Sequence, residues 1–99
     1  MDHYLTVYRP PRSTFVDDAT EQESAVVGEH FEYLKRLLSE GTLLLAGRTE
    51  DGSMGLAVYR AVDQATAECI VREDPVVRAG VFRAELHRYR LALFAGETW

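Results

Sequence analysis

The chain has 99 residues, a length typical of a single domain with a thin hydrophobic core. Apolar residues make up 46% of it and charged residues 27%, which argues against disorder. The net charge of −5 argues against nucleic-acid binding, because phosphate contacts need a basic surface. Neither a membrane-spanning apolar run nor a signal peptide is visible. Its one cysteine, Cys69, cannot form an internal disulfide, which favours a reducing cytoplasm.

The first predicted strand covers residues 4–8, where side chains alternate between two sides. Leu5 and Val7 fall on one side and the tyrosines on the other. The Pro-Pro pair that follows ends the strand, because proline cannot donate a hydrogen bond to a neighbouring strand. A polar loop is predicted over about residues 9–19.

The first long helix is predicted from Thr20 and Glu23, which have the spacing of a capping box. It extends to about Glu40, and Gly41 suits the left-handed position just after a helix. Its apolar side chains recur at helical spacing and form one stripe that is expected to face the core. The principal members of that stripe are Val27, Phe31, Leu34 and Leu38.

The second half of the chain predicts two more strands and a second helix before the last strand. Residues 43–47 form a continuous apolar run, typical of a strand covered on both faces, and residues 54–60 alternate. Asp63 is placed to cap a helix that extends to about Glu73.

An Asp-Pro pair opens one further helical turn, which ends at Gly80. The final strand is predicted over residues 82–94, long enough to carry a bulge. A mobile tail is expected at about residues 96–99.

This order predicts one α+β domain over residues 1–99, a ferredoxin-like β-α-β-β-α-β sandwich with both helices on one sheet face. We expect that covered face to carry Leu5, Val7, Leu56 and Val58. The opposite face would carry Tyr4, Tyr8, Ala57 and Tyr59, which is too apolar and aromatic to remain wholly in water. A face-to-face homodimer with a cleft at its edge would cover it.

His30 is the most informative residue for function, because it lies within the apolar stripe of the long helix. A histidine there either satisfies a backbone carbonyl in a structural role or serves as a general acid or base. Asp74 also has two interpretations. It is either a helix N-cap before proline or a carboxylate that orients His30 and supports its charge. The spacing alone leaves both pairs of alternatives open.

Four segments in order resemble the YCII-related family. They are residues 28–34 (GEHFEYL), residues 40–47 (EGTLLLAG), Gly55 and residues 74–80 (DPVVRAG). The resemblance implies a ferredoxin-like dimer of the dimeric α+β barrel group, with a His–Asp pair in a cleft at His30 and Asp74. Many similar proteins have proline after the Ala-Gly pair, where this chain has Arg48, so the pocket is expected to differ in shape or charge.

Arginine and tyrosine side chains are the candidates for substrate binding. Arg9 and Arg12 flank the Pro-Pro pair, and a guanidinium matches the geometry of a carboxylate, although the sequence favours solvated surface arginines over this role. Tyr8 and Arg48 are added as possible walls of the cleft. His3 and His87 have no ligand-like spacing with His30, so no metal site is predicted.

The leading functional hypothesis is therefore a small-molecule enzyme that moves protons without a cofactor. Isomerase, lyase and dehydrohalogenase-like reactions belong to this class, and an organic acid is the expected type of substrate. The alternative is a non-catalytic metabolite-binding or protein-interaction module. In that alternative, His30 and Asp74 serve packing and helix capping.

Overall fold

A computed structural model describes residues 1–96 and forms one four-stranded antiparallel sheet covered by helices on one face. The strands are β1 (Asp2–Arg9), β2 (Leu43–Arg48), β3 (Gly55–Ala61) and β4 (Arg83–Tyr89). The helices are α1 (Phe15–Asp18), α2 (Glu21–Ser39), α3 (Gln64–Arg72) and α4 (Pro75–Arg78). The strand order β2-β3-β1-β4 confirms the predicted ferredoxin-like fold. None of the helices in this part of the chain is long and apolar enough to cross a membrane.

The helix ends follow the predicted capping chemistry. Thr20 and Glu23 form a complete capping box at the start of α2, and Gly41 adopts a φ of 79° just after its end. Asp63 caps α3 by accepting a hydrogen bond from the backbone N–H of Thr66. Gly80 adopts a φ of 71° and turns the chain from α4 toward β4.

The assignment of side chains to the two faces of the sheet was wrong. Tyr4, Thr6 and Tyr8 face the helices and are buried, whereas Leu5 and Val7 are only partly buried on the opposite face. Alternation separates two sets of side chains but does not say which set faces the core. The bulky tyrosines fill the space under the helices, and the hydroxyl of Tyr8 donates to Asp74 there. Ala57 and Tyr59 of β3 follow the tyrosines into the core, so Leu56 and Val58 share the uncovered face.

Two strands also differ from their predictions. β2 is an edge strand with mostly exposed side chains, rather than a strand covered on both faces. The structure has an irregularity of register in β2, between Leu43 and Leu45, whereas a bulge was predicted in the last strand. β4 ends at Tyr89, short of the predicted residue 94. Apart from Gly96, the tail predicted as mobile lies outside the described residues.

The stripe on α2 is narrower than predicted. Leu34 and Leu37 are buried against the sheet, but Phe31 is 60% exposed and Leu38 is 53% exposed. The helix contacts the edge strand β2, and Phe31 and Leu38 line an open space between these two elements.

Arg12 fastens the connection between β1 and α2. Its guanidinium donates to both carboxylate oxygens of Glu23, at 2.9 and 2.8 Å, and to Asp18 at 2.8 Å. These bonds tie α1 to the first turn of α2. The hydrogen bonds from Arg12 are the main cause that lowers the pKa of Glu23 from 4.5 to about 2.

We expect Arg12→Gln to raise the pKa of Glu23 toward its ordinary value of 4.5. Because that pKa is lowered in the folded state, the stabilisation is present above about pH 4.5 and is lost as the pH falls toward 2. Titration of the glutamate side-chain carboxyls by NMR measures the change. Arg36→Gln, which removes an exposed arginine of α2 itself, is the control and should leave the pKa of Glu23 unchanged.

Candidate active site

The carboxylate of Asp74 lies at the centre of the candidate site and is fully buried. Asp74 is the N-cap of α4, with Pro75 in the first turn, and its Oδ1 accepts a hydrogen bond from the backbone N–H of Val76 at 3.2 Å. The predicted capping role is therefore present. The short helix lies against α2, which brings this end of the chain beside the middle of the long helix.

His30 projects from the middle of α2 onto the same carboxylate. Its Nδ1 lies 2.7 Å from Oδ1 of Asp74 and 2.9 Å from Oδ2. The side chain of His30 is 12% exposed and that of Asp74 is 1% exposed, so little water reaches the contact. The sequence placed these residues in separate segments, and the fold brings them together. A carboxylate that accepts the Nδ1 proton leaves Nε2 as the nitrogen able to accept another proton.

Tyr8 provides another donor to Asp74. Its hydroxyl donates to Oδ2 at 2.8 Å from the central strand β1. Burial, and next the negative charge of Asp74, raise the pKa of Tyr8 well above its ordinary value of 10. The phenol therefore remains protonated and continues to donate. Although the ring lines the proposed cleft, the hydroxyl is bound to the carboxylate.

Two phenylalanines complete an aromatic wall around His30, and the sequence prediction missed both. Phe82 lies edge-on to the imidazole, with ring centroids 6.1 Å apart, and Phe15 lies edge-on to Phe82 at 5.4 Å. Tyr8 also meets the imidazole edge-on at 5.1 Å, and its ring centroid lies 6.3 Å from that of Phe82. Phe15 is followed by Val16 in an otherwise polar loop, and Phe82 lies two residues after Gly80. These sequence positions were the signals that could have identified the two phenylalanines as part of the site.

This aromatic wall forms one end of a cavity of about 1040 Å³ between α2 and the edge strand β2. Most of the remaining lining is apolar and comes from the exposed side of α2, from β2 and from the start of β3. The residues that line it besides the aromatic wall include Gly28, Phe31, Leu38, Leu45, Gly47 and Gly55. The site therefore combines one imidazole with a largely apolar pocket that is partly open to solvent, which suits a small organic molecule.

The candidate arginines are distributed unequally around this cavity. Arg48 lines it at the end of β2, and its Nη1 donates to the backbone carbonyls of Thr49 and Glu50. Arg12 is engaged in the ion pairs of the loop, and Arg9 lies 3.9 Å from Glu85. In the described part of the chain, only Arg48 of these three lines the cavity. Within residues 1–96, no group of three or more potential metal ligands occurs.

Comparison of the sequence with models of protein families identifies the family of this chain. The model of the YCII-related domain matches residues 1–87, so the chain belongs to the YCII-related family. A search of curated proteins finds no match.

A solved structure with a similar fold is 5-chloro-2-hydroxyhydroquinone dehydrochlorinase (TftG) from Burkholderia phenoliruptrix AC1100, in complex with 2,5-dihydroxybenzoquinone. It is 18% identical, with a TM-score of 0.66, and the match covers 90% of this chain and 95% of the other. At this identity, the similarity shows the shared fold.

Replacing Asp74 with alanine should lower the free energy of unfolding by about 3–5 kcal/mol, because it leaves buried donors without their acceptor. Urea unfolding followed by circular dichroism measures the loss. The matched control is Asp63→Ala, which removes an exposed N-cap carboxylate with no side-chain donors from other elements. We expect a much smaller loss there, and equal losses would contradict the importance of the His30 and Tyr8 bonds.

Proposed function

We propose that this protein is a small-molecule enzyme in which His30 and Asp74 act as a dyad for cofactor-independent proton transfer. The observation that carries the proposal is the buried carboxylate 2.7 Å from Nδ1 of a histidine that lines an apolar cavity. A purely structural histidine needs a partner but needs no cavity beside its ring. The combination is typical of a positioned acid–base group.

In the proposed mechanism, His30 is the proton acceptor. The Nδ1–H bond to Asp74 fixes the tautomer, so Nε2 carries the lone pair. Nε2 takes a proton from a C–H or O–H group of the substrate, and the electron pair of that bond stays on the substrate. The imidazolium then faces the Asp74 carboxylate, which stabilises its charge without accepting the proton.

Two outcomes of this step balance without a cofactor. In an isomerisation, the imidazolium returns the proton to another atom of the same molecule. In an elimination, the electron pair forms a new double bond and a leaving group such as chloride departs with its own pair. The dehydrochlorinase with the same fold is named for a reaction of this second type. We favour an elimination or isomerisation of a small cyclic or aromatic organic acid.

The cavity wall supports that class of substrate. Phe15, Phe82 and Tyr8 present ring faces and edges near His30, which favours a planar apolar body. Arg48 and Lys35 both line the cavity, and we favour Arg48 as the group that attracts an anionic substituent. Arg9 and Arg12 were also predicted to bind substrate, but their ion pairs with Glu85 and Glu23 favour a structural role.

Homodimerisation is part of the proposal. The sheet face opposite the helices carries Leu5, Val7, Leu45, Leu56 and Val58, and no helix within residues 1–96 covers it. Leu45 is 40% exposed, and Leu5, Val7 and Leu56 are partly exposed. A second copy packed face to face would remove this apolar surface from water. Such a partner would also lie beside the cavity, because Leu45 and Leu56 line it.

Replacing His30 with glutamine should reduce turnover by about 10²- to 10⁴-fold, the usual contribution of a positioned acid or base. The measurement is chloride release from chlorinated hydroxyhydroquinones and product formation from cyclic keto acids. His87→Gln, which changes an exposed histidine on β4, is the control and should retain full activity. Undiminished turnover in a folded His30→Gln protein would contradict the mechanism. A compound that binds without any turnover would instead favour a metabolite-binding module.

Placing a charge on the uncovered sheet face should break the dimer. Val7→Lys puts an ammonium at the centre of that face, where its desolvation would oppose association. Light scattering after gel filtration should give twice the mass of the chain for the unaltered protein and a single-chain mass for the variant. Val62→Lys, at a 66% exposed position after β3, is the control and should stay dimeric. A monomeric unaltered protein would contradict this part of the proposal.

A further inference from the structure

Tyr8 also binds the Asp74 carboxylate, although a His–Asp dyad needs only its two members. We propose that Tyr8 is a positioning residue whose hydroxyl fixes the Asp74 carboxylate so that it binds Nδ1 of His30 and leaves Nε2 free. The catalytic meaning of this role rests on the proposed function above. The structural part, control of the imidazole tautomer through Asp74, can be tested separately.

The way the two carboxylate oxygens are used supports this role. Oδ1 accepts from the backbone N–H of Val76 at 3.2 Å, a bond that belongs to the helix cap. Oδ2 receives no cap bond, and its donors are Tyr8 at 2.8 Å and the shared proton of His30 at 2.9 Å. Without the tyrosine, the cap bond alone would hold the carboxylate from the backbone side. The carboxylate would then be free to rotate about its Cβ–Cγ bond, and its alignment with Nδ1 would loosen.

Tyr8 is well placed to transmit rigidity from the sheet. It lies on β1, which is paired on both sides by β3 and β4, and its side chain is 5% exposed. The ring also meets the imidazole edge-on, with centroids 5.1 Å apart. A single side chain therefore contacts both members of the dyad. Its hydroxyl sets the orientation of the carboxylate, and its ring restricts the rotation of His30.

The hydroxyl acts as a donor throughout the working range of pH. Burial and the nearby carboxylate raise the pKa of Tyr8, so deprotonation within the folded protein is disfavoured. A group that donates to Oδ2 also reduces the attraction of the carboxylate for the His30 proton. When Nε2 takes up the substrate proton, the Nδ1 proton consequently remains on the imidazole rather than passing to Asp74. This keeps the aspartate as an acceptor at each stage of the proposed reaction.

The test compares Tyr8→Phe with Tyr33→Phe by ¹⁵N NMR of the histidine rings. Tyr33 also has a raised pKa, about 12, and its part-buried hydroxyl donates to the backbone carbonyl of Ile70 at 2.7 Å rather than to Asp74, so it is the control for loss of a tyrosine hydroxyl. In the unaltered protein, the His30 signals should show a proton on Nδ1. In Tyr8→Phe, we expect the Nε2–H tautomer to appear, because the loss of carboxylate alignment with Nδ1 outweighs the stronger acceptor character of a carboxylate that has lost a donor. Exchange of the Nδ1 proton with water should become about 10-fold faster or more, the equivalent of one lost hydrogen bond to a charged group.

A second measurement covers the case in which Tyr8→Phe does not fold. Site-specific replacement of Tyr8 by 3-fluorotyrosine keeps the size and ring but makes the hydroxyl a stronger donor. The His30 Nδ1 proton resonance should then move upfield, because the carboxylate becomes a weaker acceptor for it. The same replacement at Tyr33 should leave that resonance in place.

The outcomes separate this inference from the proposed function. The role of Tyr8 would be overturned if the His30 tautomer and the exchange rate of its Nδ1 proton were unchanged in Tyr8→Phe. It would also be overturned if 3-fluorotyrosine did not move the Nδ1 proton resonance. Either result would stand even if His30 is essential for turnover. Equal effects from the Tyr33 changes would also overturn it, because a general loss of packing would then explain them. Loss of the mechanism itself is judged by turnover in His30→Gln, which none of these measurements uses.

Discussion

A buried carboxylate is expensive unless donors surround it, and the organisation of this molecule follows from how the Asp74 carboxylate is satisfied. Its donors come from separate parts of the fold: the backbone of α4, the imidazole on α2 and the phenol on β1. Each element must keep its position for the carboxylate to remain satisfied. The charge that ties the helices to the sheet is therefore the same charge that orients the only histidine lining the cavity among residues 1–96.

The core beneath the helices also contains several hydroxyl-bearing side chains. Tyr4, Thr6 and Tyr8 occupy the positions on β1 that apolar residues were expected to fill. Tyr59 on the neighbouring strand hydrogen-bonds to Thr6. The aliphatic residues are on the other face, where they form a surface suited to a second copy of the chain. One covered face thus serves the candidate site, while the other is available for assembly.

Apart from α1, which falls in the segment predicted as a polar loop, the order of elements was predictable because their ends carry local signals. The capping box at Thr20, the cap at Asp63 and the glycines after the helices depend on neighbouring residues alone. Local signals could not predict which side chains of β1 face the helices. Alternation divides the side chains into two sets without saying which set is covered, and both sets contain large apolar groups. The predicted length of β4 was wrong for a related reason. Residues 90–94 have a strand-like composition but no pairing partner among the described strands.

The candidate site was predictable in part. His30 and Asp74 were singled out by a histidine in an apolar stripe, an Asp-Pro cap and the family resemblance, but their contact depends on long-range packing. Phe15 and Phe82 were missed because a lone aromatic residue beside a turn has no periodic pattern. Tyr8 was anticipated as a wall of the cleft, whereas its bond to Asp74 required the fold. The two interpretations of Asp74, cap and partner of His30, were not alternatives, since the carboxylate does both.

The central claim is that His30 transfers a proton to and from a small organic substrate, and deuterium incorporation measures that step directly. Cyclic keto acids and hydroxyhydroquinones would be incubated in D₂O with the unaltered protein or with His30→Gln. Loss of the proton NMR signal at an acidic carbon reports exchange. The account predicts incorporation that depends on the unaltered protein and is abolished in the variant. Equal incorporation with both proteins, or none for a compound shown to bind in the cavity, would contradict it.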